Sequence, residues 1–170
     1  QAKKFRRKGD LSWRSTENTG IDPKHPYECH LPSGNKIAIF FYDGPVSNEI
    51  AFKGLLKDGK AFADRLLGLF DEKDTIPQLV HIATDGESYG HHHRHGDMAL
   101  SFCNHYIEKE SDAELTIYGS YLEMFPVECE VIIHENSSWS CAHGVERWRS
   151  DCGCKTSSDP NIRQTWRKPL

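Results

Sequence analysis

The sequence predicts an α/β fold, an open sheet or part of a barrel whose parallel strands are covered by helices, and three observations predict it. Three short runs, Lys36–Tyr42, Pro77–Ala83 and Cys129–His134, are largely apolar, as strands buried on both faces are. Residues at helical spacing separate them. Each run also ends in a polar loop: Tyr42-Asp43-Gly44, Thr84-Asp85-Gly86-Glu87 with His91 to His95, and His134-Glu135-Asn136 with Trp139. In α/β sheets and barrels, reacting groups stand on loops past the C-terminal ends of strands, so parallel neighbours would bring all three loops to one face.

The elements follow in order. Residues 1–35 are rich in Gly, Pro, Asn, Asp and Ser, with Asp22-Pro23, His25-Pro26 and Pro32-Ser-Gly-Asn35 as breakers, which predicts an irregular connecting segment. Residues 36–144 carry the βα units. After the first strand, Ser47 is placed to cap a helix bearing Ile50, Leu55 and Leu56, and Ala61, Phe62, Leu66 and Leu67 mark a second helix after Gly59. Pro77–Ala83 is the second strand. Met98, Leu100, Phe102, Tyr106 and Ile107 predict a helix from about Gly96 to Glu110. Ala113 to Ile117 then reads as a short strand, and Tyr118 to Phe125 as a short helix stopped by Pro126. Cys129–His134 is the third apolar strand. Residues 145–170 have aromatics but little periodicity and read as a C-terminal segment leading into a truncated helical region. A start at Gln1 and an end at Arg167-Lys-Pro-Leu170 predict a piece of a larger domain.

Composition excludes several function classes. A net charge of -4, with both signs mixed among 27% charged residues, does not provide the one-sign field of a nucleic-acid or membrane-surface binder. The apolar runs are of strand length, well short of the roughly 20 residues a bilayer span needs. The basic start lacks the apolar stretch of an export signal, so a cytoplasmic location is expected. Six cysteines are too sparse for a disulfide scaffold in 170 residues and are read as reduced or, in part, as metal ligands.

Four constellations carry chemistry. Asp85 and Glu87 flank Gly86, which lets a chain leaving a strand turn and hold a carboxylate over the sheet mouth; the plain alternative is that Asp85 caps the next segment and Glu87 is solvated. Asp43 carries the same ambiguity in a turn-forming Asp-Gly-Pro. His91, His92, His93 and His95 are dense enough for metal ligation, though consecutive side chains cannot all face one ion; one or two could instead hydrogen-bond sugar hydroxyls. Cys141-Ala-His143 and Cys152-Gly-Cys154 supply four ligands within fourteen residues, the type and number of a closed tetrahedral zinc site, or else are small buried thiols. Trp139 and Trp148, near Arg147 and Arg149, are either a sugar-stacking platform or core.

Taken together, the strings IAIFFYDGPVS, HIATDGESYGHHHRHGDMAL and NSSWSCAHGVERWRSDCGC resemble a bacterial and archaeal group related to the family 57 glycoside hydrolases, over about Ile21 to Leu170. The resemblance implies part of an incomplete (β/α)7 barrel acting on α-glucans by a retaining mechanism, with a Glu nucleophile and an Asp acid/base. The family's Asp-x-Glu pattern, followed by an aromatic and Gly, corresponds here to Asp85, Glu87, Tyr89 and Gly90. That makes Asp85 the implied general acid/base. Glu87, His91, Asp43, Tyr89 and Trp139 become the implied substrate-binding residues.

No cofactor is required for that chemistry. The nucleophile Glu would precede Gln1, in a missing N-terminal part of the same domain. A retaining site needs its two carboxyl groups about 5 Å apart, so this chain alone is expected to show no turnover. Hydrolysis and glucanotransfer both stay open. Two readings of other classes stand beside it: a zinc-stabilised structural or interaction module organised by Cys141, His143, Cys152 and Cys154, and a metal-dependent carbohydrate deacetylase with His and Asp ligands.

Overall fold

A computed structural model describes residues 1–17, 19–154, 159 and 161–168. Five strands form one open, mixed sheet: β1 (Ala2–Arg7), β2 (Arg14–Ser15), β3 (Pro26–His30), β4 (Lys36–Phe40) and β5 (Cys129–Ile133), in the order β2-β1-β5-β3-β4. The α/β class expected from the sequence holds, but the strands are not all parallel. β3 and β5 are parallel, whereas β1 with β5 and β3 with β4 are antiparallel.

Residues 1–35 are also not irregular, since they supply three of the five strands. The reason lies in pairing across the chain. On one face of the sheet, Arg6 pairs with Glu130, His30 lies between Glu130 and Glu28, and Lys8 and Lys36 both reach Glu28. Opposite charges on neighbouring strands support a sheet that neither strand's own sequence announces. On the other face, Tyr27, Cys29, Cys129 and Val131 are buried, with Phe5, Ile39 and Ile133 packed against them. β3 shows the alternation most plainly, with Tyr27 and Cys29 on the apolar face and Glu28 and His30 on the charged one.

The remaining elements are helical. α1 (Gly44–Phe52), α2 (Gly59–Leu67) and α3 (Gly96–Glu110) enclose a second core of Val46, Ile50, Leu56, Phe62, Ala63, Ala99, Cys103 and Ile107. Gly59 permits the close approach of α2 to α3: a Cβ there would stand 2.9 Å from the Ala99 carbonyl oxygen. α4 (Tyr118–Met124) packs on β4, where Tyr118 and Tyr121 meet Phe40, and the Tyr121 hydroxyl donates to the Pro77 carbonyl at 2.6 Å. A short α5 (Glu146–Arg149) lies beyond β5. Among the described residues no helix is long and apolar enough to cross a membrane.

Three further expectations are corrected. Pro77–Ala83 joins no ladder, because its backbone partners are irregular: Leu79 N–H donates to the Lys24 carbonyl, and Ala83 N–H to the Ser47 hydroxyl. Ala113–Ile117 is likewise without strand pairing. β4 is an edge strand rather than one buried on both faces, and Ile37 is 52% exposed.

The three loops past the apolar runs do not meet on one face. The register sets Pro26 opposite Phe40 and Tyr27 opposite Cys129, so β4 ends where β5 begins. The Asp43 corner and the His134 corner therefore stand at opposite ends of the sheet. The Asp85 corner stays with Asp43, because the Asp43 N–H reaches the His81 carbonyl just upstream of it.

Candidate metal centre

β5 ends at Ile133, and the next residue is still tied to the sheet by its N–H, donated from His134 to the Gln1 carbonyl at 2.9 Å. The chain then reverses. Asn136 adopts a left-handed backbone (φ 55°), Ser137 donates its hydroxyl to the His134 carbonyl, and Ser138 and Ser140 bond to one another. Asn136 and Ser residues suit such a reversal, because their short polar side chains serve as local backbone partners. Cys141 follows, its carbonyl accepting from the Gly144 N–H at 3.0 Å, and the Asn136 carbonyl accepts from the Val145 N–H at 2.9 Å. These two bonds wrap the Cys141–His143 turn back onto the exit of β5. α5 then leads through Ser150, whose hydroxyl bonds Glu146, to Cys152, Gly153 (φ 84°) and Cys154.

Four ligand atoms converge within this fold-back. Cys141 Sγ stands 3.7 Å from His143 Nδ1, 3.8 Å from Cys152 Sγ and 3.5 Å from Cys154 Sγ, and Cys154 Sγ is 3.5 Å from His143 Nδ1. All four lie within 4.8 Å of one another, so the group could hold a metal ion. These separations are far longer than the roughly 2.05 Å of a disulfide, and all three cysteines are free.

Burial opposes ionisation of the Cys141 thiol, but hydrogen bonds from the His143 backbone and ring and from the two neighbouring thiols outweigh it and bring the thiol down to about 7. Cys154 moves the other way, its thiol held up chiefly by its hydrogen bond with Cys141. Hydrogen bonding thus eases ionisation of one sulfur of the cluster, the form in which a thiol binds a metal. Cys141 is buried, Cys152 and Cys154 are half-buried, and His143 faces an open cleft of about 420 Å³ that Gln1, His134 and Asn136 also line.

The sequence-predicted sugar-site residues lie elsewhere. Asp85 is exposed at the start of a single 3-10 turn (Gly86–Ser88), and its carboxylate has no hydrogen bond or ion pair among the described residues. Glu87 is exposed too, its carbonyl accepting from the N–H groups of His91 and His92. Tyr89 hydrogen-bonds Thr84 across the turn at 3.0 Å. Asp43 is the N-cap of α1, accepting from the Val46 N–H at 2.9 Å, and so takes the cap position predicted for Ser47. Ser47 instead holds Ala83. Trp139 is 87% exposed and lies past β5, at the other end of the sheet from Asp43.

Among the described residues, the His91–His95 tract forms no metal-ligating group. His91 and His92 rest against each other, His93 bonds the Ala51 carbonyl, and His95 takes a left-handed backbone ahead of α3. The deacetylase reading therefore draws no support from it.

Two His/carboxylate groups that sequence reasoning missed do form. Glu28, His30 and Glu130 belong to the cross-strand charge ladder and are matched by Arg6, Lys8 and Lys36. His25, only 6% exposed, joins Asp74 at 2.8 Å and lies near Asp22. That pair pins the start of β3 to a loop 49 residues away, a separation that leaves no local signal.

Comparison of the chain with family models, with curated proteins and with solved structures returns no match.

Proposed function

We propose that residues 134–154 form a structural zinc centre of the Cys3His type, with Cys141, His143, Cys152 and Cys154 as its ligands, and that this chain is a zinc-stapled module. One observation carries the reading: the spacing of the four donor atoms. Zinc bonds of about 2.3 Å to sulfur and 2.0–2.1 Å to nitrogen, arranged tetrahedrally, require roughly 3.8 Å between sulfurs and 3.6 Å between sulfur and nitrogen. Two of the three sulfur pairs stand 3.8 and 3.5 Å apart and two of the three sulfur–nitrogen pairs 3.7 and 3.5 Å, with all the donor atoms within 4.8 Å of one another. Three soft thiolates and an imidazole favour zinc over calcium or magnesium, which take oxygen ligands. Four protein ligands leave no open position, which makes the role structural rather than catalytic. The ion would bind the exit of β5 to the segment after α5, where few apolar side chains are buried. A reduced thiol cluster also agrees with the cytoplasmic location expected from the sequence.

The test is metal content and its consequence for folding. Purified protein should carry a single zinc per chain, and a strong chelator should lower the melting temperature. Cys152→Ser should lose the metal, while Cys103→Ser, away from the cluster, should keep it. Zinc retained by Cys152→Ser, or a melting temperature indifferent to chelation, would remove the proposal.

A second reading follows from the resemblance to family 57 glycoside hydrolases: the chain belongs to a carbohydrate-active domain in which Asp85 is the acid/base toward α-glucans. One observation favours it: the Asp85 corner stands with that of Asp43 at one end of the sheet, while the Asp85 carboxylate itself is exposed and the His134 corner lies at the other end. The reading requires a partner carboxylate from outside residues 1–170. A zinc staple is compatible with this reading. Assay of the full-length protein with a malto-oligosaccharide, before and after Asp85→Asn, decides it, and unchanged turnover would take Asp85 out of the mechanism.

A further inference from the structure

We propose that Cys141 and Cys154 are a thiol-modification site, closing as a disulfide under peroxide and expelling the metal; this rests on the zinc reading above. The six cysteines divide by environment. Cys29, Cys103 and Cys129 are buried within the two cores, out of reach of a soluble oxidant. Cys152 and Cys154 are half-buried beside the exposed His143, so a small oxidant reaches the cluster from that side. Of the two, Cys154 has its sulfur against both Cys141 and the exposed His143, 3.5 Å from each, and so links the open side of the cluster to its buried side. It is the better placed to meet the oxidant and then be resolved by the buried Cys141 sulfur.

The chemistry balances with a hydroperoxide as oxidant. The Cys154 thiolate attacks one peroxide oxygen, a sulfur–oxygen bond forms as the oxygen–oxygen bond breaks, and the departing hydroxide takes a proton to become water. Cys154 is now a sulfenic acid, whose sulfur is a poor zinc ligand. The Cys141 thiolate then attacks that sulfur, a sulfur–sulfur bond forms, the sulfur–oxygen bond breaks, and a second hydroxide leaves as water. Two thiolates lose two electrons and one peroxide becomes two waters. The sulfurs need to close by only about 1.5 Å, from 3.5 Å to disulfide length. With Cys141 and Cys154 joined, His143 and Cys152 alone remain, too few to retain zinc.

The experiment titrates the zinc-loaded full chain with hydrogen peroxide in the presence of a chromogenic zinc chelator, then maps the cysteines by digestion and mass spectrometry. The expected result is release of one zinc per chain in step with a Cys141–Cys154 disulfide, and recovery of metal binding after treatment with a dithiol and zinc. Zinc release with sulfinic or sulfonic acids in place of a disulfide overturns the proposal, as does a bridge between any other pair. Zinc retained at peroxide levels that oxidise a free thiol peptide overturns it as well. Metal content measured before peroxide keeps the two readings apart: protein that carries no zinc and takes none up defeats the metal centre, while the digest still decides the pairing of Cys141 with Cys154.

Discussion

Gly144 sits against the carbonyl of Asn136 so closely that no side chain fits between them: a Cβ would overlap the Asn136 oxygen, and the Gly144 backbone is left-handed with φ +60°. Asn136 closes the end of β5 and Gly144 follows the ligand His143, so this contact sets where the ligand turn lies relative to the sheet. Gly144→Ala is expected to cost about 1–3 kcal/mol of stability through backbone strain and displacement. It should also weaken zinc binding at least tenfold, although no ligand is changed. Competition with a chelator of known affinity measures this, and an unchanged affinity would show that the turn is not what positions His143.

Phe62 is fully buried at the meeting of α1, α2 and α3, and Phe62→Ala is expected to lose about 3–5 kcal/mol of unfolding free energy. Urea unfolding measures it. Because Phe62 lies in the helical core, away from the cysteine ligands, the folded fraction should bind zinc as the parent chain does.

Asp74 and His25 give a pH-dependent prediction. Burial opposes ionisation of Asp74, but the Ile76 N–H and the His25 ring outweigh it and hold the carboxyl below its ordinary value of 3.8. A depressed acid contributes stability that is present above the unfolded value and is lost as pH falls through the folded one. Asp74→Ala should therefore destabilise by about 1–3 kcal/mol near pH 6, and the gap from the parent chain should narrow below pH 3.8. Paired urea titrations at the two pH values check this; a gap that widens in acid contradicts it.

Asp85→Asn is expected to leave stability within about 0.5 kcal/mol, because the exposed carboxylate makes no bond among the described residues. Thermal unfolding of the two proteins compares them. A larger loss would mean that Asp85 is a structural cap, and would weaken the case that its carboxylate is kept for chemistry.

What the sequence made legible depended on how local each signal was. α3 matches its predicted span, Gly96 to Glu110, since its period is carried entirely within one helix. Cys141, His143, Cys152 and Cys154 stand out by residue type within a short stretch as candidate ligands, and their atoms do gather. The three strands of residues 1–35 were hidden because Arg6, Glu28 and His30 look like solvated loop residues until Glu130 and Lys36 are brought beside them. The apolar run Pro77–Ala83 misled in the opposite sense, since its hydrophobicity fits an extended segment over α4 as well as a strand. Strand direction left no mark at all, and with it went the expected convergence of Asp43, Asp85 and His134. The helix expected to start around Arg163 and Trp166 is, among the described residues, a single 3-10 turn, Thr165–Arg167; residues 169–170 lie outside them.

Zinc-edge X-ray absorption on protein purified without added metal reads the proposed ion and its three sulfurs and one nitrogen at once. One zinc per chain is expected, surrounded by three sulfurs at about 2.3 Å and one nitrogen at about 2.0 Å. A first shell of oxygen and nitrogen alone, or protein that holds no zinc and binds none on titration, would contradict it.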